Sequence, residues 1–149
     1  MIARNTSSAQ SGISVDISIR ADIHYLPVFR EVVKSVAHAS GFDPDSIDDV
    51  QLAVDEVAAT LIEISAVGAE VSCSVEDNRG ELCVTMTAKC AAAPLPRSNS
   101  FRWHVVRTLA DVLDWRQEAH TEEEHVLHNG KCPTTTVQIV KRKASPDCE

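Results

Sequence analysis

The stretch "DDVQLAVDEVAATLIEIS", residues 48–65, decides the fold of this chain. Turning about 100° per residue, Val54, Val57 and Leu61 fall on one side of a helix, and Ile47 and Val50 extend the same apolar stripe toward its start. Asp43, Pro44, Asp45 and Ser46 precede the stripe with the chemistry of a helix start: short polar side chains that accept from orphan amides, and a proline for the first turn. The opposite side carries Asp49, Glu56, Thr60 and Glu63. Leu52, Ala53 and Ala59 surround Glu56, which sets a carboxylate among small or apolar neighbours, as on a pocket wall. The plain alternative is a solvated glutamate on an acid-rich helix.

Toward the N-terminus, "ISVDISIRA" alternates Ile13, Val15, Ile17, Ile19 and Ala21 with Ser14, Asp16, Ser18 and Arg20, the period of a strand with one buried face. "HYLPVFREVVKSVAHASG" then spaces Leu26, Phe29, Val33, Val36 and Ala37 as one face of a helix that Gly41 ends. Toward the C-terminus, "AEVSCSV" and "ELCVTMTA" flank the turn signal "EDNRG" and predict a hairpin. Residues 77 and 80 are expected to face each other, so that Val75 meets Leu82, Cys73 meets Val84 and Val71 meets Met86 on one face. Residues 89–100 read as a loop, "FRWHVVRTLADVL" as a third helix, and residues 113–118 and "TTTVQIVK" as strands. The order strand, helix, helix, hairpin, loop, helix, two strands predicts an α+β fold. Its architecture is a two-layer α/β sandwich, a mostly antiparallel sheet with helices on one face.

A chain of 149 residues with 44% hydrophobic content is enough for one domain with its own core. That domain is expected over residues 13–141, between a polar disordered leader at 1–12 and a flexible tail at 142–149. The formal charge of -8 argues against direct nucleic-acid binding, since Lys141, Arg142 and Lys143 are the only basic run. An acidic surface suits a partner with a basic one. No signal peptide or membrane-length apolar segment is read, so the expected location is cytoplasmic, away from the membrane. Cysteines 73, 83, 90, 132 and 148 form an odd set without a CxxC pair and are read as reduced thiols. His120, His125 and His128 with Cys132 match no established zinc spacing, and the glutamates between them favour a solvated loop.

The helix "DVQLAVDEVAATLIEIS" resembles the N-box helix of the Bergerat (GHKL) ATP-binding fold, specifically the RsbW and SpoIIAB type of anti-sigma factor serine kinase. The similarity extends over about residues 13–141 in element order, and "SFRWHVVRTLADVL" resembles the actinobacterial branch. In that family an E-x-x-x-N pattern supplies a general base and an Mg²⁺ ligand one helical turn apart. The resemblance implies Glu56 as the base, Thr60 at the metal-ligand position, and Asp49, Thr60 and Arg102 lining an ATP site. This chain departs from the pattern in three places. Thr60 replaces the asparagine; "KCAAAPLP" stands where D-x-G-x-G is expected; and the phosphate-loop glycines are replaced around Ser100 and Arg102. Arg102 would then either contact a phosphate or fill the pocket.

The resemblance further implies a homodimer that holds a sigma factor until an anti-anti-sigma factor of the STAS type displaces it. The contact surface lies on the first helix, where Arg30 aligns with a partner-contacting arginine and Phe29, Glu31 and Lys34 are its neighbours. Two alternatives are an active ATP-dependent serine kinase acting on the anti-anti-sigma protein, and a degenerate GHKL module for another regulatory partner.

Overall fold

The computed structural model describes residues 12–89, 101–118 and 133–144. The leader at 1–11, the body of the 89–100 loop, the histidine-rich segment with Cys132, and the last five residues of the tail lie outside these.

Strand β1 (Ser14–Arg20) leads through a short 3-10 turn at Ile23–Tyr25 into helix α1 (Leu26–Ala39) and then helix α2 (Pro44–Ile64). Gly41 ends α1 in the left-handed conformation (φ 82°), which frees the chain for the bonds that close the turn, Gly41 N to His38 O (3.1 Å) and Phe42 N to Ala37 O (3.1 Å). Asp43 caps α2 by accepting from Ser46 N (3.1 Å). The Ser46 hydroxyl also donates to Asp43 Oδ1 (2.7 Å), and this bond, with the main-chain one, holds the Asp43 carboxyl below its usual pKa. Strands β2 (Glu70–Asn78) and β3 (Glu81–Lys89) form the hairpin, followed by helix α3 (Phe101–Leu109), strand β4 (Val112–Glu118) and strand β5 (Thr134–Arg142).

The five strands form one antiparallel sheet in the order β1-β2-β3-β5-β4. Its inner face meets the helices in a two-layer α+β sandwich. Val33 and Phe29 of α1, Val54, Val57 and Leu61 of α2, and Val75, Val84, Met86 and Ile139 of the sheet are all buried. Burial of each such side chain favours the fold by roughly 1.5–3 kcal/mol over leaving it in water. The alternation in β1 places Val15, Ile17 and Ile19 inward, but they stay half-buried because β1 is an edge strand.

Two local expectations need correction. The hairpin pairs Val75 with Val84, Cys73 with Met86 and Val71 with Ala88, while Asp77 faces Leu82. The cause is the turn. Arg79 (φ 52°) and Gly80 (φ 88°) are both left-handed, forming a two-residue turn whose twist suits the hairpin and leaving Asn78 opposite Glu81. Because the register moves by an even step, the same side chains still point inward. The third helix stops at Leu109 rather than running through Leu113. Asp111 N donates to Val140 O (2.9 Å) and Asp111 Oδ2 accepts from Arg142 N (2.6 Å). Val112 and Leu113 are thereby drawn into pairing with β5. Sheet pairing outweighs a helical pattern that was equally present in the sequence.

Candidate functional site

Three of the residues read as site residues converge between α2 and α3. Glu56 and Thr60 stand one turn apart on α2, and the Thr60 hydroxyl donates to the Glu56 carbonyl (2.8 Å). Arg102, in the first turn of α3, reaches across to both. Its Nε lies 3.1 Å from Glu56 Oε2, and its Nη1 donates to Thr60 Oγ1 (3.0 Å) and to Glu63 Oε2 (3.2 Å). Thr60 is buried, whereas the side chains of Glu56 and Arg102 are each 33% exposed.

The chemistry of this cluster follows from its donor inventory. The Thr60 hydroxyl gives its proton to a main-chain carbonyl and accepts one from a guanidinium, leaving little capacity for a metal. A divalent cation bound to Thr60 would lie beside the positive charge of Arg102. As arranged, the residues therefore do not fit Mg²⁺. Glu56 directs one carboxylate oxygen at the same guanidinium rather than at an open acceptor position. The cluster is a closed polar clamp that ties α3 to α2.

Asp49 is not part of this clamp. It lies about two turns earlier on α2 and pairs with Lys141 Nζ (3.2 Å), which also donates to the Leu109 carbonyl at the end of α3 (2.9 Å). A cation at a helix C-terminus is favourable, and Lys141 thus joins β5 to both helices. The sequence reading took Lys141 only as part of a short basic run.

The proposed contact residues on α1 point in different directions. Arg30 turns toward α2, where its Nε donates to both Asp55 oxygens (3.0 Å each) and its Nη2 lies 2.9 Å from Asp55 Oδ2. This pairing raises the Arg30 pKa further. Glu31 faces the other way, into a groove of about 500 Å³ between α1 and β1 that is also lined by Val15, Pro27, Val28 and Val32. Lys34 is solvent-exposed. Phe29 is 1% exposed, so the expectation that it contacts a partner is corrected: the helical period that makes it a core residue removes it from the surface. Val28 (44% exposed) is the apolar side chain that reaches solvent there. Asp55 was missed because its charge alone reads as solvation. Its signal was the short α1–α2 connection, which sets the two helices antiparallel and brings the middle of one against the middle of the other.

Two proteins in separate strains of Mycobacterium tuberculosis, each an anti-sigma-F factor RsbW, are 31% identical to this chain over 107 residues, covering 71% of it. The chain is a relative of RsbW. It spans 64% of the length of these RsbW proteins. The RsbW fold is also seen in three dimensions. A crystal structure of the RsbU and RsbW domains of a Mycobacterium tuberculosis protein superimposes with a TM-score of 0.60 over 91% of this chain and 34% of that one, at 14% identity. No protein-family profile matches the chain. Among the described residues, no helix is long and apolar enough to cross a membrane.

Proposed function

We propose that this RsbW relative is an anti-sigma factor. It would sequester an alternative sigma factor as a dimer, yield it to an anti-anti-sigma protein of the STAS type, and do so without working nucleotide chemistry. Relationship to anti-sigma-F factors supports the sequestering role. The observation that carries the loss of nucleotide chemistry is the Arg102 clamp: the general-base candidate Glu56 and the metal-ligand candidate Thr60 are both engaged by one guanidinium. Recognition would then run through protein contacts, with Arg30, Glu31 and Lys34 as the accessible candidates on different sides of α1.

The test pairs native co-purification with calorimetry. Recovery of a sigma factor, together with no heat on titrating Mg-ATP or Mg-ADP to millimolar concentration, is the expected result. Absence of any sigma factor would sink the sequestering role and leave a module for another regulator.

One observation favours a second reading, an active serine kinase. Glu63, which shares the hold on Arg102, is 60% exposed; a solvent-exposed ion pair contributes little, which would leave Arg102 the option of a phosphate. Micromolar Mg-ATP binding and phosphate transfer to a serine-bearing partner, abolished by Glu56→Gln, would establish that reading.

A further inference from the structure

Glu56, Thr60 and Glu63 follow one another on α2 at steps of four and three residues, which sets them within about 60° of arc on one face of the helix. Their oxygens form a graded notch. The Thr60 hydroxyl is buried at its floor, Glu56 is its half-buried wall, and Glu63 is its exposed rim. Two carboxylates that converge on one place repel each other unless a cation lies between them.

The cation that they hold belongs to the chain itself. Arg102 brings Nε to 3.1 Å from Glu56 Oε2, and its Nη1 to 3.0 Å from Thr60 Oγ1 and 3.2 Å from Glu63 Oε2. Its position on α3 has no local explanation, because a positive charge in the first turn of a helix is opposed by the helix dipole. The arginine therefore suits the acids of α2 and not its own helix. The far end of α3 is held in the same manner, by Lys141 between Asp49 and the Leu109 carbonyl. Asp49, Glu56 and Glu63 recur at seven-residue intervals, which keeps all three within about 40° of one another around the helix. Basic side chains thus fasten both ends of α3 to one acidic line of α2.

We infer that the Arg102 guanidinium is a tethered cation standing in for the metal of the pattern this helix resembles, and that the notch selects a planar guanidinium over a compact ion. The inference rests on the proposed loss of nucleotide chemistry and gives it a cause. The chain supplies its own permanent counter-ion, so α3 closes on α2 without nucleotide or metal. The selectivity follows from the distances. Oxygens that meet two different nitrogens of one plane are spread along the edge of a fork, whereas Mg²⁺ draws its oxygens to about 2.1 Å in an octahedron. An ammonium is a point charge and does not span the same edge.

The experiment is chemical rescue of the full chain. Arg102→Ala empties the notch; it should lower the urea midpoint read by circular dichroism and speed amide hydrogen exchange in α3. Guanidinium chloride at millimolar concentration should restore most of both losses and level off as the notch fills. Sodium, methylammonium and magnesium chloride at equal ionic strength should not, and wild type should respond to none of the four. Arg102→Ala/Glu56→Gln should lose the rescue, since one wall of the notch is gone. Arg102→Lys keeps the charge and the stem, so it remains measurable even where the alanine variant does not fold; its α3 amides should exchange faster than those of wild type. An Arg102→Ala variant indifferent to guanidinium, equal recovery with any of the other salts, or an Arg102→Lys variant indistinguishable from wild type would each overturn the inference. None of these arms contains nucleotide, so such a result leaves the proposed function standing. Heat on titrating Mg-ATP into wild type would instead overturn the loss of nucleotide chemistry and the stand-in role with it, while the rescue still decides the selectivity.

Discussion

Arg102 lies 3.1 Å from Glu56 and 3.0 Å from Thr60, so that one arginine of α3 occupies both chemically distinctive groups of α2. The sequence presented these as parts of an ATP site. In this structure their arrangement links the two helices. A double-mutant cycle with Arg102→Ala and Glu56→Ala should give a coupling of about 0.5–1 kcal/mol in urea melts, the range for partly exposed pairs, and should shrink in 1 M salt as charge is screened, roughly to a 3 Å Debye length. Full destabilisation from Arg102→Ala with no coupling would assign the effect to its aliphatic stem.

Arg30 is tied to Asp55 and also exposed enough to serve a partner. Recognition and tethering can be separated. If the proposed sigma-factor binding runs through Arg30, Arg30→Ala should weaken it at least about tenfold, the loss of a forked charge contact. Asp55→Asn should cost stability of about 1 kcal/mol but leave binding within about threefold. Equal binding losses from both would show that Arg30 acts by holding α1 against α2.

Gly80 stands at φ 88° with nothing within 4 Å of an added Cβ. Gly80→Ala should therefore cost about 1–2 kcal/mol through backbone strain alone. Urea denaturation would read this as a lower midpoint at unchanged slope. An unchanged midpoint would mean that the hairpin turn is not held in the left-handed form.

Burial pushes the Cys73 thiol up from 9.0 to about 12, with Asp16 adding a smaller effect in the same direction. Two outcomes follow. At pH 8 the native protein should leave Cys73 unalkylated while half-buried Cys83 reacts slowly, both becoming reactive in urea. The folded state holds the proton more tightly than the unfolded chain, so this contribution to stability is complete below pH 9 and is lost as the pH rises toward 12. Its full size is roughly 4 kcal/mol. Cys73→Ala should flatten the alkaline limb of the stability profile.

Most of the layer architecture was legible because periodicity and local caps agreed. The stripe Val54, Val57, Leu61 and the Asp43 cap describe one helix by independent routes, and the alternation from Val15 to Ile19 survives even at a sheet edge. What was illegible depended on partners distant in sequence or on the backbone state of a single turn residue. Leu113 fits a helix as well as a strand until Ile139 lies opposite it. The hairpin register turned on whether Arg79 accepts a positive φ, which residue type decides poorly. At the site, helix spacing brought Glu56 and Thr60 to one face, but the turn of Arg102 onto them could not be chosen from spacing over a phosphate contact.

The ring of Trp103 stacks on that of Trp115, with centroids 6.3 Å apart and planes 17° from parallel. These are the two tryptophans of the chain, and one is the residue next to Arg102. The tryptophan fluorescence of the protein therefore arises from a single ring pair bridging α3 and β4. A ligand or partner that lifts the start of α3 off α2 would disturb the two rings together. The molecule carries its own optical gauge of whether the arginine is seated.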